Sequence, residues 1–252
     1  MTTTRDNHLQ GRVSVITGAS SGIGAASARA LAAEGAHVVL AARNAEKLNE
    51  LVNSIRDAGG TATARITDVT RPDDVEGLIE FASQEFGPVD HLVNNAGLML
   101  FSQWADRAVD DWNKMIDTNI RGYLNAISAV LPTMIARQSG HILNMSSVAG
   151  IRVGGASGVY SATKFFIRGI TDSLRQEVGT EHGIQVSMIS PGVIDTGWAD
   201  KVTNDEGKQI AQNLNEGAIH PDRVAEAVVF ALNQPADLTV NDIVVHPTRQ
   251  KW

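Results

Sequence analysis

Residues 12–24 read RVSVITGASSGIG, and residues 25–41 continue AASARALAAEGAHVVLA. Arg12 to Thr17 is rich in β-branched residues, the composition of a buried strand. The run breaks at Gly18, and Gly22 and Gly24 follow before an Ala-rich helical stretch that reaches about Glu34. Gly35 closes that helix, since glycine takes the left-handed conformation past a helix end without strain. His37 to Ala41 is a second strand. Strand, glycine-rich turn, helix and strand form a βαβ unit with a right-handed crossover. The spacing is GxxxGxG, not the GxGxxG of the commonest dinucleotide fingerprint. The physics is shared: glycines let backbone amides approach a pyrophosphate, and the helix N-terminus behind them favours negative charge. A plain turn would need only a glycine or two.

Outward from this unit the alternation continues. Asn44 caps a helix over residues 45–57, ended by Gly59-Gly60. A third strand covers Thr61 to Ile66. Pro72, Asp73 and Asp74 suit the first turn of a helix that stops at Gly87-Pro88. His91 to Asn94 is a fourth strand. A long helical region spans about 110–137, with Pro132 expected to kink or end it. His141 to Met145 is a fifth strand, 146–159 a loop, and a helix from Tyr160 reaches about Gly179. Gln185 to Ile189 is a sixth strand. Residues 193–219 are polar and weakly periodic, a candidate mobile substrate lid. Pro221 opens a last helix, and Leu238 to Val245 is a seventh strand. The pattern implies one α/β domain: a Rossmann-type, doubly wound, parallel seven-stranded sheet with helices on both faces. Residues 1–10 are expected to be a loose polar arm, and 11–252 the single dinucleotide-binding and catalytic domain.

The bulk numbers agree with that scale. The chain has 252 residues, 43% hydrophobic and 19% charged, with a net charge of −7. An acidic chain is a poor partner for nucleic acid or an anionic membrane. Without cysteine, disulfides, thiolate chemistry and Cys-based zinc sites are excluded. The histidines show no HExxH-type metal spacing. The polar N-terminus does not read as a secretory signal, and no apolar run approaches the ~20 residues that span a bilayer. A cytoplasmic protein is the expectation.

Ligands of such sheets sit beyond the carboxyl ends of the strands. Asp68, the Asn94-Asn95-Ala96-Gly97 run, Ser146-Ser147 and Pro191-Gly192 all fall at expected strand ends. Each alone reads as a turn residue satisfying its own backbone; together they converge on one edge. Tyr160 and Lys164 lie four positions apart and so share a helix face. A phenol titrates near pH ~10. A nearby ammonium favours the phenolate and lowers that value, giving a group able to exchange a proton with an alcohol oxygen.

TGASSGIG (17–24), NNAG (94–97), NMSS (144–147), YSATK (160–164) and PGVIDT (191–196) together resemble the short-chain dehydrogenases/reductases in their short, single-domain form. The likeness spans about residues 10–245, in order and spacing. It implies that Tyr160 is the general acid in reduction and the base in oxidation. Lys164 lowers its pKa and binds the nicotinamide ribose. Ser147, thirteen residues before Tyr160, polarises the substrate carbonyl. Asn119 holds a water that links Lys164 to solvent. Cofactor contacts fall on Gly18, Ser20, Ser21, Gly22, Ile23 and Gly24. Asp68 and Val69 flank the adenine, beside Asn95, Ala96 and Gly97. Ile194 and Thr196 meet the carboxamide, and Pro191, Gly192 and Val193 are further cofactor contacts.

An acidic residue closing the second strand would hold a ribose 2′-hydroxyl and repel a 2′-phosphate. Here the chain reads Ala41-Ala42-Arg43-Asn44. Arg43 can grip a phosphate through its forked donors, so NADP(H) is the expected cofactor. The competing reading is a solvated surface cation and a site that also accepts NAD.

Leu98, Met99, Val148, Val153, Val193 and Trp198 suggest a ketone or aldehyde, or its alcohol, with apolar substituents; each is equally a core residue. Arg152 is the nearby cation able to meet a substrate carboxylate, or it is a surface residue. The ending Val245-His246-Pro247-Thr248-Arg249-Gln250 departs from the family's common VDGG-like close and resembles the 3-hydroxy acid and serine dehydrogenase members. The family's habit implies a homodimer or homotetramer. Tyr123, Ile127, Phe165 and Phe166 are candidate contacts if exposed, core residues if not. Two other readings are a non-catalytic NADP-binding sensor, disfavoured by the complete Asn119–Ser147–Tyr160–Lys164 set, and an extended-family epimerase, disfavoured by length and glycine spacing.

Overall fold

The computed structural model describes residues 7–250. Seven strands form one parallel sheet in the order β3-β2-β1-β4-β5-β6-β7. They are β1 (Val13–Thr17), β2 (His37–Ala42), β3 (Thr61–Ile66), β4 (His91–Asn94), β5 (His141–Met145), β6 (Gln185–Pro191) and β7 (Asp242–Val245). Side chains alternate between the two faces, and both faces are covered. From β2, Val38 and Leu40 enter one core and Val39 and Ala41 the other. Burial on both sides explains why the central strands read as continuous apolar runs.

α1 (Gly22–Ala33), α2 (Ala45–Asp57) and α9 (Asp222–Leu232) cover the first face, through Leu31, Leu48 and Val228. α3 (Pro72–Phe86) and α5 (Gly122–Arg137) cover the second, through Leu78, Val130 and Met134. α4 (Val109–Ile116) runs into α5 through a π turn at Asp117–Arg121. α6 (Gly158–Leu174) likewise passes a π turn at Arg175–Gly179 and ends in the short α7 (Thr180–His182). No helix among the described residues is long and apolar enough to cross a membrane.

Several expectations are corrected. Pro132 does not end the helix: it sits inside α5, with buried Val130 and Met134 on either side. α5 stops instead at Gln138, in the left-handed conformation. Residues 238–241 are not strand. The Val240 carbonyl accepts from the Ser187 hydroxyl and the Asn241 carbonyl from Arg175, so side chains replace part of the expected ladder. Of the loose arm, residues 1–6 lie outside the described residues, while Asn7 to Gln10 are docked. Leu9 is fully buried, and the His8 amide donates to Asn233 Oδ1 at 2.7 Å. Residues 193–219 carry a third secondary element, α8 (Asp205–Asn215), capped by Asn204 Oδ1 on the Gly207 amide. Tyr123 and Ile127 are buried within the chain, whereas Phe165 is exposed.

At the opposite end of the strands lies a buried polar row. Ser14 Oγ and His91 Nδ1 are 2.9 Å apart, and His141 Nε2 and Ser187 Oγ 2.7 Å. The two imidazoles meet edge to face at 6.3 Å, and His141 Nδ1 has no partner. Burial pushes His91 down to about 4 and His141 to about 3, against 6.5 for a free imidazole. Both are therefore neutral in the folded chain, and unfolding takes up their protons below pH 6.5. Their contribution to stability is complete above that pH and is lost as pH falls from it toward the folded values. The slope is about 1.4 kcal/mol per pH unit for each histidine. His141→Leu removes one such proton uptake. Its free energy of unfolding, taken from urea melts, is expected to fall less steeply than the wild type's below pH 6.5, by about 1.4 kcal/mol per pH unit.

Candidate active site

The strand order reverses beside β1, so the carboxyl ends of β1 and β4 border the crevice in which open parallel sheets bind ligands. A cleft of about 800 Å³ opens there, within the range of small-molecule sites.

One wall is backbone. Gly18 and Gly22 have φ of +67° and +55°, and a Cβ at Gly22 would stand 2.7 Å from Thr196 Cβ. Ser20, Ser21 and Ile23 line the cleft beside them. Ser21 precedes α1 without a side-chain cap, so the first amides of this helix stay available to an anion. Gly24 is not in the cleft. A Cβ there would lie 2.4 Å from the Gly18 carbonyl oxygen and 2.7 Å from Asn95 Nδ2, so this glycine lets α1 pack against the end of β1. Thr17, which sequence reasoning did not single out, ties the neighbouring strand ends together. Its hydroxyl accepts from the Asn95 amide at 2.9 Å and the Ala96 amide at 3.1 Å, and its carbonyl accepts from Asn95 Nδ2.

Arg43 closes β2 at the rim, exposed and without an ion-pair partner among the described residues. Asp68 accepts from the Thr70 amide and hydroxyl, which fixes the turn after β3. Val69 is buried beneath Gly122, where a Cβ would come within 2.7 Å of it. Past β6, Pro191, Gly192, Val193, Ile194 and Thr196 form the far wall. The C-terminal tail supports it: Gln250 Oε1 accepts from the Val193 amide at 2.9 Å, and only glycine fits at 192 beside it.

The remaining side chains converge from three elements. Ser147, at the end of β5, accepts from the Ala149 amide and hydrogen-bonds the Tyr160 hydroxyl. Tyr160 lines the cleft from the first turn of α6. Lys164, one turn on, is buried, and its Nζ donates to the Met145 carbonyl at 2.9 Å. That is one of three donors, so two remain for polar atoms in the cleft. Asn119 lies behind the cleft, in the π turn. Its Oδ1 accepts from the Leu98 amide, and its Nδ2 donates to the Leu98 carbonyl and to Thr163 Oγ1. Both side-chain donors are thus engaged by protein groups.

The electrostatics also differ from the sequence expectation. Burial pushes the Tyr160 phenol up to about 12, with the Ser147 hydrogen bond opposing. Burial lowers Lys164 to about 7. Nζ stands 5.8 Å from the Tyr160 ring centre, held toward Met145. The free site therefore keeps Tyr160 protonated at neutral pH.

The 193–219 segment borders the cleft through Trp198, Ile210 and Leu214. Phe101 and Trp198 stack at 5.4 Å in a small cluster with Val202 and Ala211, against which Met99, Val193, Ile210 and Tyr160 pack. α8 lies so close that a Cβ at Gly207 would meet the Phe101 carbonyl at 2.2 Å. Val153 and Arg152 are exposed at the mouth.

The family model described as short chain dehydrogenase matches residues 12–207. An uncharacterized oxidoreductase of Listeria innocua is 43% identical over 246 residues, covering 97% of this chain and 99% of the relative. A serine dehydrogenase solved in its closed form with NADP+ superposes with a TM-score of 0.85 at 32% identity, over 95% of this chain and 96% of its own. A short-chain dehydrogenase/reductase from Burkholderia phymatum, solved with NAD, gives 0.86 at 27% identity, over 94% and 89%. The family model covers most of the chain and the relatives are alike over nearly their full length, so the chain belongs to the short-chain dehydrogenase/reductase family of oxidoreductases.

Proposed function

We propose that this protein is an NADP(H)-dependent oxidoreductase interconverting a ketone or aldehyde and its alcohol, with Tyr160 as general acid and base. The observation that carries the reading is the Tyr160 hydroxyl on the cleft wall, bonded to Ser147 and backed by Lys164. The glycine cradle and the spare Lys164 donors suit a dinucleotide: amides of α1 for the pyrophosphate, Nζ for ribose hydroxyls. Arg43, with no carboxylate at the end of β2, supports the phosphorylated form. When bound, the reduced nicotinamide supplies a hydride to the carbonyl carbon.

The chain's own groups handle the oxygen. Ser147 and Tyr160 hydroxyls donate to the carbonyl oxygen and fix its position. Tyr160, held protonated at neutral pH by burial, delivers its proton as charge develops there. In the reverse direction the phenol must first lose that proton, so oxidation is favoured by alkaline pH. Lys164 offers its Nζ hydrogens beside the phenol, on the side held by the Met145 carbonyl. Asn119, its side chain engaged by Leu98, contributes through the π turn it holds, whose backbone is the place for a proton-relay water. Residues 193–219 serve as the substrate lid, and α8 brings Ile210 and Leu214 to the cleft. The exposed Leu124 and Phe165 support assembly of a homodimer or homotetramer through α5 and α6, which sedimentation tests.

The test is loss of NADPH absorbance with a panel of ketones and aldehydes, repeated with NADH. Turnover with at least one carbonyl is expected. Tight NADPH binding with no turnover on any carbonyl or alcohol would mean a sensor instead.

A further inference from the structure

The chain has two tyrosines, and both face Lys164. Tyr123 lies on α5, fully buried, and its hydroxyl donates to the Met145 carbonyl at 2.9 Å. That carbonyl also accepts from Lys164 Nζ at 2.9 Å. The ammonium sits 5.5 Å from the centre of the Tyr123 ring and 5.8 Å from that of Tyr160. Both lie inside the ~6 Å reach of a cation–π contact. We propose that Tyr123 is a positioning residue of this centre: its ring face backs the Lys164 ammonium, and its hydroxyl steadies the carbonyl on which that ammonium rests.

The physical need is plain. A buried ammonium loses its hydration, which lowers its pKa, and here one carbonyl and two ring faces stand in for water. The groups facing Nζ are Tyr160 from its own helix and Tyr123 from α5. Asp111 on α4 is engaged by Lys114 and Thr203, and Asp117 in the π turn by Arg121. β5 carries only His141, at its other end, and β6 carries no titratable residue. With no carboxylate to pair the charge, the ring of Tyr123 has an unusually large say in whether Lys164 is protonated near neutral pH. The inference rests on the proposed role of Lys164, but its test does not need the reaction.

The experiment is an NMR titration of the lysine Cε resonances in the cofactor-free protein. Lys164 is one of six lysines and is assigned by its disappearance in Lys164→Met. In the wild type it is expected to titrate near 7. Tyr123→Phe keeps the ring and should stay within about half a pH unit. Tyr123→Met removes the ring face and should titrate about one unit lower, the equivalent of a desolvated cation–π contact. Should Tyr123→Met not fold, Tyr123→Phe with the ring pentafluorinated keeps the volume, removes the negative face and should give the same downward shift. Ile127→Ala, a cavity one turn along α5, controls for loosened packing and should leave Lys164 unmoved. A wild-type titration in the ring-deleted or fluorinated variant, or an equal shift in Ile127→Ala, overturns the inference. If Lys164 shifts as expected while no carbonyl is ever reduced, Tyr123 still positions Lys164 and the proposed function is what falls.

Discussion

Tyr160→Phe is expected to lower kcat for carbonyl reduction by ~10²–10⁴-fold while leaving the NADPH dissociation constant within a few-fold of the wild type. The two halves of this expectation have separate causes. The ring keeps its place against the Phe101–Trp198 cluster, so packing is retained. Only the hydroxyl goes, and with it the proton donor and the partner of Ser147. The pH dependence carries further information. With the phenol pushed up by burial, the acid form persists through neutral pH, so loss of the Tyr160 proton should not limit wild-type reduction there. Oxidation needs the phenolate and should climb as pH rises, and that climb should vanish in Tyr160→Phe. Stopped-flow turnover and NADPH fluorescence titration measure the two quantities independently. A variant that keeps a tenth or more of wild-type kcat would remove Tyr160 from the chemistry.

What could be read from the sequence follows from how far each feature is decided locally. β1, β2 and β4 to β6 are buried on both faces, so their apolar runs and glycine or proline ends mark them without knowledge of their neighbours. Tyr160 and Lys164 are legible because a helix face is set by spacing alone. The π turn at Asp117–Arg121 is not, because its anchor is a long-range bond: Asn119 grips the backbone of Leu98 from 21 residues away. α8 is faint for a related reason. Its few apolar residues make a stripe too thin to read: Ile210 and Ala211 pack with the Phe101 cluster, while Leu214 stays exposed. Pro132 shows tertiary packing overriding a local rule. Tyr123 falls four residues after Asn119, a spacing that places the pair on one helix face, and that was the available signal for it; its burial beneath Lys164 depends on where β5 ends. The phenol's pKa is not legible in the sequence, because the burial that raises Tyr160 and lowers Lys164 is set by the fold and not by their spacing.

Cofactor choice is the other place where one side chain should have a large effect, and Arg43→Asp tests it. Arg43 follows the last strand residue of β2 and precedes the N-cap of α2, so its backbone is fixed on both sides while its guanidinium is free in solvent. Hydrogen bonds to charged groups contribute about 1.5–3 kcal/mol, a factor of roughly 10–150 in affinity for a bidentate grip on a 2′-phosphate. Aspartate reverses the field: it repels that phosphate and accepts from the ribose 2′-hydroxyl of NADH instead. The two changes act in opposite senses on the two cofactors, so the ratio of kcat/KM for NADPH over NADH should fall by at least about 100-fold. Because Arg43 is exposed and unpaired, folding stability should hardly change, and the thermal midpoint serves as the control. High salt should weaken NADPH binding in the wild type more than in the variant, since the wild-type contact is a solvent-screened charge pair. An unchanged cofactor ratio in Arg43→Asp would show that the guanidinium only decorates the rim, and that discrimination between the dinucleotides, if any, lies with the backbone amides after β2.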